Sequence, residues 1–363
     1  MKILIATGIY IPEIGGPATY IPNLVKEFIK LGHQVKIITY SNKKEYNFDK
    51  GLPYSIFRIQ RKNKFSNYYR YYKILKKEAK DYNIIYAFDH FSAGIPSVLI
   101  SKKYNIPLYI RVGGDFIWER YLDRTRNLII LRDFYKKNIH KKEEKLRFKI
   151  IKWVFNNTNG IIFTTNFQKD IFKKYYNLKG YKLYNIPNPI NIVKEEKKEK
   201  NKEIIFAGRF INKNNIKNLI KAFKNLKDKS FKLVLVGEGY LKKEIKTSEN
   251  IIIEKRLSRE ELRERISKVY LVIFSSLTDI SPNTMLECLS VNTPFISSEE
   301  IGFDWIKDKI RLFNPLDINS ITKQIDKLLD KGEYNKYLEK IKKISYNYTY
   351  KQASIDTINI FNK

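Results

Sequence analysis

The chain has 363 residues, enough for about two domains at roughly 150 residues each. With 43% hydrophobic and 14% aromatic residues it is not a disordered chain, although 30% of its residues are charged. Its formal net charge of +32 favours anionic partners: nucleic acid, an anionic membrane surface or phosphorylated ligands.

Cysteine and histidine are scarce in this sequence. The single cysteine, Cys288, excludes an internal disulfide framework and suits a reducing compartment, and three histidines are too few for a histidine metal cluster. No apolar run approaches the roughly 20 residues that span a bilayer. Residues 1–7 are typical of a first strand rather than of a signal peptide, so we expect a cytoplasmic protein. We also expect neither a metal nor a cofactor.

Short apolar runs alternate with helical patterns in both halves of the chain. The alternation predicts an α/β fold with two Rossmann-like parallel sheets wound by helices. The predicted strands of the first half are KILIAT (2–7), VKIITY (35–40), NIIYAF (83–88), PLYIRV (107–112) and GIIFTT (160–165). Those of the second half are EIIFAG (203–208), KLVLVG (232–237), NIIIEK (250–255), LVIFSS (271–276) and TPFISS (293–298).

The boundary between the halves is predicted near residue 187. Residues 185–190 contain two prolines and residues 194–203 form a charged run, which together indicate an extended linker. The predicted domains are therefore 1–187 and 188–349. The first is the more basic, with 36 Lys/Arg against 14 Asp/Glu, whereas residues 188–363 hold 34 against 24.

Two strand-to-helix loops are candidate anion sites. Gly15 and Gly16 precede a predicted helix with Pro17 in its first turn, where backbone N–H groups and the helix dipole favour a phosphate, although a plain tight turn explains the glycines equally well. In the segment 277–287, Ser281 is predicted to cap a helix beginning at Pro282. The amides of Asn283 and Thr284 would then face an anion.

Three charged side chains follow predicted strands of the second half. Arg209 ends the strand EIIFAG, where its guanidinium could bind a diphosphate bidentately. Asp279 comes just before the helix that begins at Pro282, and Glu287 lies over a turn inside that helix. The apolar neighbours of Glu287 predict a partly buried carboxylate that needs a partner.

Five segments, taken in order, carry a resemblance to a known family. They are MKILIATGIYIPEIGGPATY, IPNPI, GRF with a Lys/Asn-rich turn, VGEGYLKKEI and DISPNTMLECLSVNTPFI. Together they resemble the retaining GT-B glycosyltransferases of family 4, glycosyl transferases group 1, over nearly the whole chain. The resemblance implies a nucleotide-diphosphate-sugar donor bound between two domains, metal-independent transfer with retention, and a last helix, 350–363, that crosses back to the first domain.

The resemblance also implies a role for each matching residue. Glu287 would bind the donor ribose, and Asp279 would face the transferred sugar. Arg209 and Lys213 would hold the diphosphate, assisted by Gly15, Gly16, Pro282, Asn283 and Thr284. Arg256 and Leu257 would line the nucleobase slot.

This chain departs from the family pattern at three positions. Asp279 stands where the family has a glutamate, and the family lysine position falls on Asn214, with Lys213 adjacent. A family histidine near the donor sugar is matched by Gly113. Asp89, His90 or Asp115 could serve that sugar or acceptor region instead, and buried packing is the simpler prediction for Cys288.

Two basic segments extend the list of partners. Residues 61–80 interleave Lys/Arg with aromatic residues, a pattern suited to nucleic acid or to an anionic membrane. In 141–156, Leu146, Ile150 and Val154 share one helical face, which predicts packing on its own domain. We expect a glycan or lipid-linked acceptor and peripheral association with the inner membrane face; a nucleic-acid-binding protein and a sugar-nucleotide epimerase are the alternatives.

Overall fold

The chain divides into two compact units, each built on its own sheet. The computed structural model describes residues 1–13, 15–190 and 199–363, so part of the predicted linker, 191–198, lies outside the described residues. The first unit comprises Met1–Asp115, Lys145–Pro189 and Tyr348–Lys363, and the second comprises Phe116–Glu144 and Ile190–Asn347. Elements are numbered in chain order.

The sheet of the first unit is parallel and, within the described residues, seven-stranded. Its order is β3-β2-β1-β4-β5-β6-β7. The strands are β1 Lys2–Thr7, β2 Gln34–Ser41, β3 Ser55–Gln60, β4 Ile84–Ala87, β5 Leu108–Val112, β6 Gly160–Phe163 and β7 Leu183–Asn185. The strands β4, β5 and β6 are buried along their whole length, because helices cover both faces of a parallel sheet.

In the part of the chain that the structure describes, six α-helices flank this sheet. They are α1 Gly16–Lys30, α2 Lys64–Glu78, α3 Gly94–Tyr104, α7 Lys145–Phe155, α8 Asn166–Tyr175 and α14 Tyr350–Phe361. The last helix packs on α1, where the rings of Tyr20 and Tyr350 lie 5.9 Å apart. The Phe361 ring packs edge-on against Tyr86, so α14 completes the core of the first unit.

The second unit holds a parallel sheet, six-stranded within the described ranges, in the order β10-β9-β8-β11-β12-β13. Its strands are β8 Asn201–Ala207, β9 Lys232–Val236, β10 Ile251–Glu254, β11 Val269–Phe274, β12 Phe295–Ser298 and β13 Arg311–Phe313. Its helices are α4 Phe116–Thr125, α5 Leu131–Lys136, α6 Ile139–Lys142, α9 Ile216–Lys224, α10 Arg259–Ser267, α11 Asn283–Ser290, α12 Ile318–Leu329 and α13 Lys331–Lys342. The predicted α/β class, with one parallel sheet in each half, is confirmed. None of the described helices is both long and apolar enough to cross a membrane.

The ten predicted strands are all present, and the described residues contain three further strands that the sequence analysis missed. The missed strands β3, β7 and β13 all lie at sheet edges. An edge strand has one neighbour and a partly exposed face, so it lacks the continuous apolar run that marks a central parallel strand. The residues SIFRIQ of β3 illustrate this, because Ser55, Arg58 and Gln60 interrupt its apolar side chains.

The segment Phe116–Glu144 belongs to the second unit, although the sequence boundary assigns it to the first. The Thr278 hydroxyl accepts the Leu131 N–H at 3.0 Å. The Asn212 side chain donates to the Leu122 carbonyl at 3.0 Å. Hydrogen bonds between residues this far apart in sequence leave no local pattern, which explains the difference.

Candidate functional site

The centre of the second sheet is a topological switch point. The chain runs from β8 outward to β9 and β10, and then adds β11, β12 and β13 on the other side of β8. Loops that leave neighbouring strands in opposite directions form a crevice at the carboxyl ends of those strands. Arg209 follows β8 and Asp279 follows β11, so the fold brings these two predicted residues to that crevice.

The loop after β8 is held tightly by the loop after β9. A Cβ atom on Gly237, whose φ is +147°, would lie 2.0 Å from the Gly208 carbonyl oxygen. A Cβ on Gly239 would lie 2.4 Å from the Phe210 carbonyl oxygen. The Phe210 N–H donates to the Glu238 carbonyl at 2.7 Å. Both glycines of the VGEG segment are therefore required for the close contact with the backbone on either side of Arg209.

A short 3₁₀ helix, Asn212–Asn214, carries Lys213. The Asn214 side chain donates to the Arg209 carbonyl at 2.6 Å, and its oxygen accepts from the Ser276 hydroxyl at 3.2 Å. The Leu277 N–H donates to the Lys213 carbonyl at 2.8 Å, which joins this turn to the loop after β11. The Asn214 side chain thus joins the loops after β8 and β11, and the positively charged side chain of this turn is the adjacent Lys213.

Arg209 and Lys213 share one carboxylate that the sequence analysis missed. The two oxygens of Glu119, on α4, lie 3.2 Å from Arg209 Nη2 and 3.2 Å from Lys213 Nζ. Burial by itself raises the pKa of Glu119, but the charges of Lys213 and Arg209 outweigh it and hold that pKa below its usual value. The one available signal was a glutamate in the first turn of a helix that follows β5.

Asp279 completes this group of charges. Its backbone is fixed by two hydrogen bonds, from its N–H to the Glu300 carbonyl and from the Gly302 N–H to its own carbonyl, both 2.9 Å. Burial raises the pKa of Asp279, and the nearby Glu119 adds to the increase, against the opposing charge of Lys213. For Lys213, burial lowers the pKa, but Glu119 and Asp279 raise it more. Two cations and two carboxylates therefore interact at the switch point.

The helix that carries Glu287 begins one residue later than predicted. The helix α11 starts at Asn283, with Pro282 as its N-cap at ψ 90°, so the predicted cap at Ser281 is wrong. The ψ of Pro282 is outside the helical range, which moves the helix start onward. The amides of Asn283 and Thr284 still belong to the first turn, and that turn holds no acidic side chain. Phosphate binding there stays a prediction.

Glu287 is buried and paired. Arg259 Nε donates to its Oε1 at 2.5 Å. Arg259 is the first residue of α10, whose start is set by a capping box between Ser258 and Glu261. The expectation that Glu287 needs a partner is therefore met by an arginine 28 residues earlier, which the sequence analysis did not identify.

The turn after β10 places a third arginine near the same edge. Partial burial lowers the pKa of Arg256, Glu238 opposes that decrease, and Arg209 adds to it. Arg256 and Arg209 are thus close enough to repel each other. Leu257 is half-buried and packs against the core of the second unit. Cys288 is fully buried, and burial raises the pKa of its thiol, as expected for packing.

In the first unit, the glycine loop is packed on one side and open on the other. A Cβ on Gly15 would lie 2.3 Å from Ile9 Cδ1, whereas a Cβ on Gly16 would meet nothing within 4 Å. Gly15 is the N-cap of α1, and Pro17 lies in the first turn, as predicted. Packing against the end of the Ile9 side chain gives Gly15 a structural role, and an anion site at Gly15 and Gly16 stays a prediction.

Asp89 and His90 have structural partners. The Asp89 carboxylate accepts hydrogen bonds from the N–H groups of Phe91 and Ala93 and from the Ser92 hydroxyl, which orders the start of α3. His90 is buried against the rings of Phe155 and Phe172. Burial lowers the pKa of His90 to about 4, against the opposing charge of Asp89. Asp115 is also buried, and a sugar or acceptor role for these three residues stays a prediction.

His140 is buried, although its position among lysines is typical of a surface residue. Its side chain is buried in the second unit, 4.7 Å from the Tyr135 ring. The lysines that follow it suggested exposure, but α6 turns this face toward α5. Among the described residues, no group of three or more His, Cys, Asp or Glu could hold a metal ion.

Two family models match the chain. The model described as "Glycosyl transferases group 1" matches residues 188–346, and the model "Glycosyltransferase Family 4" matches residues 14–194. Their joint span, residues 14–346, begins just before α1 and ends just after α13. The match to group 1 includes Arg209, Lys213, Asp279 and Glu287, so the resemblance drawn from the sequence motifs is confirmed.

Known proteins with similar sequence or structure point the same way. The chain is 23% identical, over 82% of its length and 71% of the relative's, to an alpha-monoglucosyldiacylglycerol synthase of Streptococcus pneumoniae. A sucrose-phosphate synthase of Thermosynechococcus elongatus superposes with TM-score 0.78 at 15% identity, covering 99% of this chain and 98% of that one. Anabaena HepE in complex with UDP and glucose superposes with TM-score 0.74 at 13% identity, covering 100% and 99%. The expected GT-B architecture is confirmed by these structures.

Proposed function

Because the chain belongs to the GT-B glycosyltransferases, which use nucleotide-sugar donors, we propose that it transfers a hexose from a UDP- or GDP-sugar to a glycan or lipid-linked acceptor with retention of anomeric configuration. The single observation that carries this proposal is the cation pair Arg209 and Lys213 next to Asp279 at the switch point of the second sheet. Such a pair suits a diphosphate, and the neighbouring carboxylate suits the hydroxyls of a sugar.

The donor would be recognised piece by piece. Glu287, held by Arg259, accepts hydrogen bonds from the ribose hydroxyls. Arg209 and Lys213 bind the diphosphate, with the first turn of α11 adding backbone N–H groups. Asp279 binds the transferred sugar. Arg256 and Leu257 border the nucleobase, and Gly15 and Gly16 contribute a glycine loop from the first unit.

The reaction exchanges one bond at the anomeric carbon for another. The bond from that carbon to the diphosphate oxygen breaks, and a bond to the acceptor oxygen forms on the same face. The acceptor proton passes to the departing diphosphate. Arg209 and Lys213 stabilise the negative charge that develops on the leaving group, which is the part of the reaction where fixed charges contribute most. In this mechanism the two cations do the work that a divalent metal would otherwise do.

A lipid-linked acceptor at an anionic membrane face is the form of the proposal with the most support. The sequence relative in Streptococcus pneumoniae is named for the synthesis of a glucosylated diacylglycerol. The first half of this chain also carries 36 basic against 14 acidic residues, which favours an anionic surface. We place the enzyme at the cytoplasmic face of the membrane on these grounds.

The direct test is nucleotide release in the presence of EDTA. UDP-glucose, UDP-galactose, UDP-N-acetylglucosamine and GDP-mannose are each incubated with the full chain, with or without diacylglycerol in vesicles or a soluble glycan. We expect one donor to release its nucleotide only with an acceptor, and the product's anomeric signal in an NMR spectrum to match that of the donor. Inversion would refute retention, and loss of release in EDTA would refute metal independence.

The two alternatives predict different results in the same assay. An epimerase converts the sugar of the donor in the absence of an acceptor and transfers no sugar to an acceptor. A nucleic-acid-binding protein gives no nucleotide release and binds oligonucleotides with a steep salt dependence. The nucleic-acid-binding alternative also assigns no role to the paired Glu287 or to the charges around Lys213.

A further inference from the structure

Helix α7 has two apolar faces, and one of them is turned to solvent. Its inward face contains Phe148, Ile151 and Phe155, which are buried in the first unit. On the outward side, Leu146 is 71% exposed and Trp153 is 38% exposed. The sequence pattern predicts that Leu146 packs on its own domain, and that prediction is wrong.

The outward apolar residues form a stripe. At about 100° per residue, Leu146, half-buried Ile150 and Trp153 fall within roughly 60° of one another around the helix axis. The inward residues Phe148 and Phe155 lie about 160–180° from Leu146. The helix is therefore apolar on opposite sides, and only one of these two faces is buried in the first unit.

Basic residues border this stripe. The helix has four basic and no acidic residues in KLRFKIIKWVF. The exposed Lys145 and Lys149 lie beside Leu146 and Trp153 on the same side of the helix. The helix α3, which packs against α7, exposes Leu99 together with Lys102 and Lys103. Two adjacent helices thus combine exposed apolar side chains with positive charge.

The other basic segment, residues 61–80, contains α2, and two of its aromatic side chains pack internally. Tyr71 is buried, and its hydroxyl donates to the carbonyls of Thr7 and Ile38. Tyr68 packs edge-on against Phe91. Of its described aromatic side chains, Tyr69 is the most exposed, at 59%, with Lys73 over its ring. The arrangement that suits an interface is therefore on α7.

We propose that the outward face of α7 docks on an anionic phospholipid surface. Leu146, Ile150 and Trp153 insert at the boundary between headgroups and acyl chains, and Lys145 and Lys149 bind lipid phosphates. A second copy of this chain is a poor occupant, because it would bring two faces of the same positive charge together. This inference rests on the proposed membrane location and names the surface that makes the contact, although docking itself requires neither a donor nor transfer.

The test is co-sedimentation of the full chain with vesicles, in the absence of nucleotide. One set of vesicles contains phosphatidylcholine alone and the other contains phosphatidylcholine with phosphatidylglycerol. The variants are Leu146→Asp and Trp153→Asp, and the matched control is Leu316→Asp, an exposed leucine (43%) in the second unit. We expect the wild type and the control to bind the anionic vesicles alike, and each α7 variant to bind about tenfold more weakly.

Three results would overturn the proposal. They are wild-type binding that does not depend on anionic lipid, α7 variants that bind like the control, and a wild-type dimer in gel filtration that Leu146→Asp dissociates. Thermal unfolding shows that each variant is folded, since both substituted side chains are exposed. Binding of UDP in solution, measured separately, distinguishes failure of the proposed function from failure of docking.

Discussion

The Glu119 carboxylate forms an ion pair with Lys213, one of the two cations that we propose bind the donor diphosphate. The Glu119 oxygens lie 3.2 Å from Lys213 Nζ and from Arg209 Nη2. A diphosphate that binds these cations must compete with Glu119. This single carboxylate partly neutralises the two neighbouring positive charges.

Replacing Glu119 with glutamine is expected to tighten UDP binding about fivefold, because a neutral amide no longer competes for Arg209 and Lys213. Isothermal titration calorimetry measures the effect. Glu244→Gln is the matched control, because Glu244 pairs with Lys217 and Arg126 in the same unit. Weaker UDP binding in Glu119→Gln would mean that Glu119 positions the cations rather than competing with the ligand.

Replacing Arg259 with glutamine is expected to weaken donor binding by about tenfold or more, because Glu287 loses the partner that orients its buried carboxylate. The effect should fall on the KM for the donor. Arg259→Lys, which keeps the charge, should recover part of it. Lys268→Gln, after the end of the same helix, controls for charge loss. An unchanged KM in Arg259→Gln would remove Arg259 from the site.

Asp279→Asn separates binding from transfer. Asparagine has nearly the same size but carries no charge, so UDP binding should stay within about twofold of wild type while kcat falls about a hundredfold. Titration with UDP and steady-state rates measure the two quantities. An equal loss of UDP affinity would show that Asp279 organises Lys213 instead of acting on the sugar.

Gly237→Ala tests the contact between the loops after β8 and β9. The new Cβ would lie 2.0 Å from the Gly208 carbonyl oxygen at a φ of +147°. We expect a loss of about 2–4 kcal/mol in the free energy of unfolding. Gly113→Ala is the control, since its Cβ meets nothing within 4 Å. Equal stability of the two variants in urea unfolding would contradict this account.

Two buried histidines predict a pH dependence of stability. Burial lowers the pKa of both His90 and His140 to about 4. Between about pH 4 and the ordinary histidine pKa of about 6.5, the unfolded chain therefore binds more protons than the folded chain. The free energy of unfolding should reach its full value above about pH 6.5. As the pH drops below that value, each histidine should lower it by at most about 1.4 kcal/mol per pH unit.

Urea unfolding at pH 7, 6 and 5 measures this slope, and His140→Phe should reduce it by up to half. A slope that the substitution leaves unchanged would show that other groups control acid stability.

The central strands were predictable because burial on both faces produces continuous apolar runs, as in IIYA of β4 and LVIF of β11. The candidate site was predictable to the same extent. Arg209, Asp279 and Glu287 follow such strands, so their positions at the carboxyl edge come from local patterns. The capping box at Ser258 also corresponds to a local sequence pattern, S-x-x-E.

The partners of those residues depend on contacts between distant parts of the chain. Glu119 meets Lys213 across 94 residues, and Arg259 meets Glu287 across 28. The exposed stripe on α7 is also a tertiary property, since the same pattern of apolar residues fits a buried or an open face. Periodicity and capping are local interactions that a sequence displays directly, whereas ion pairs and exposure arise only when separate elements pack together.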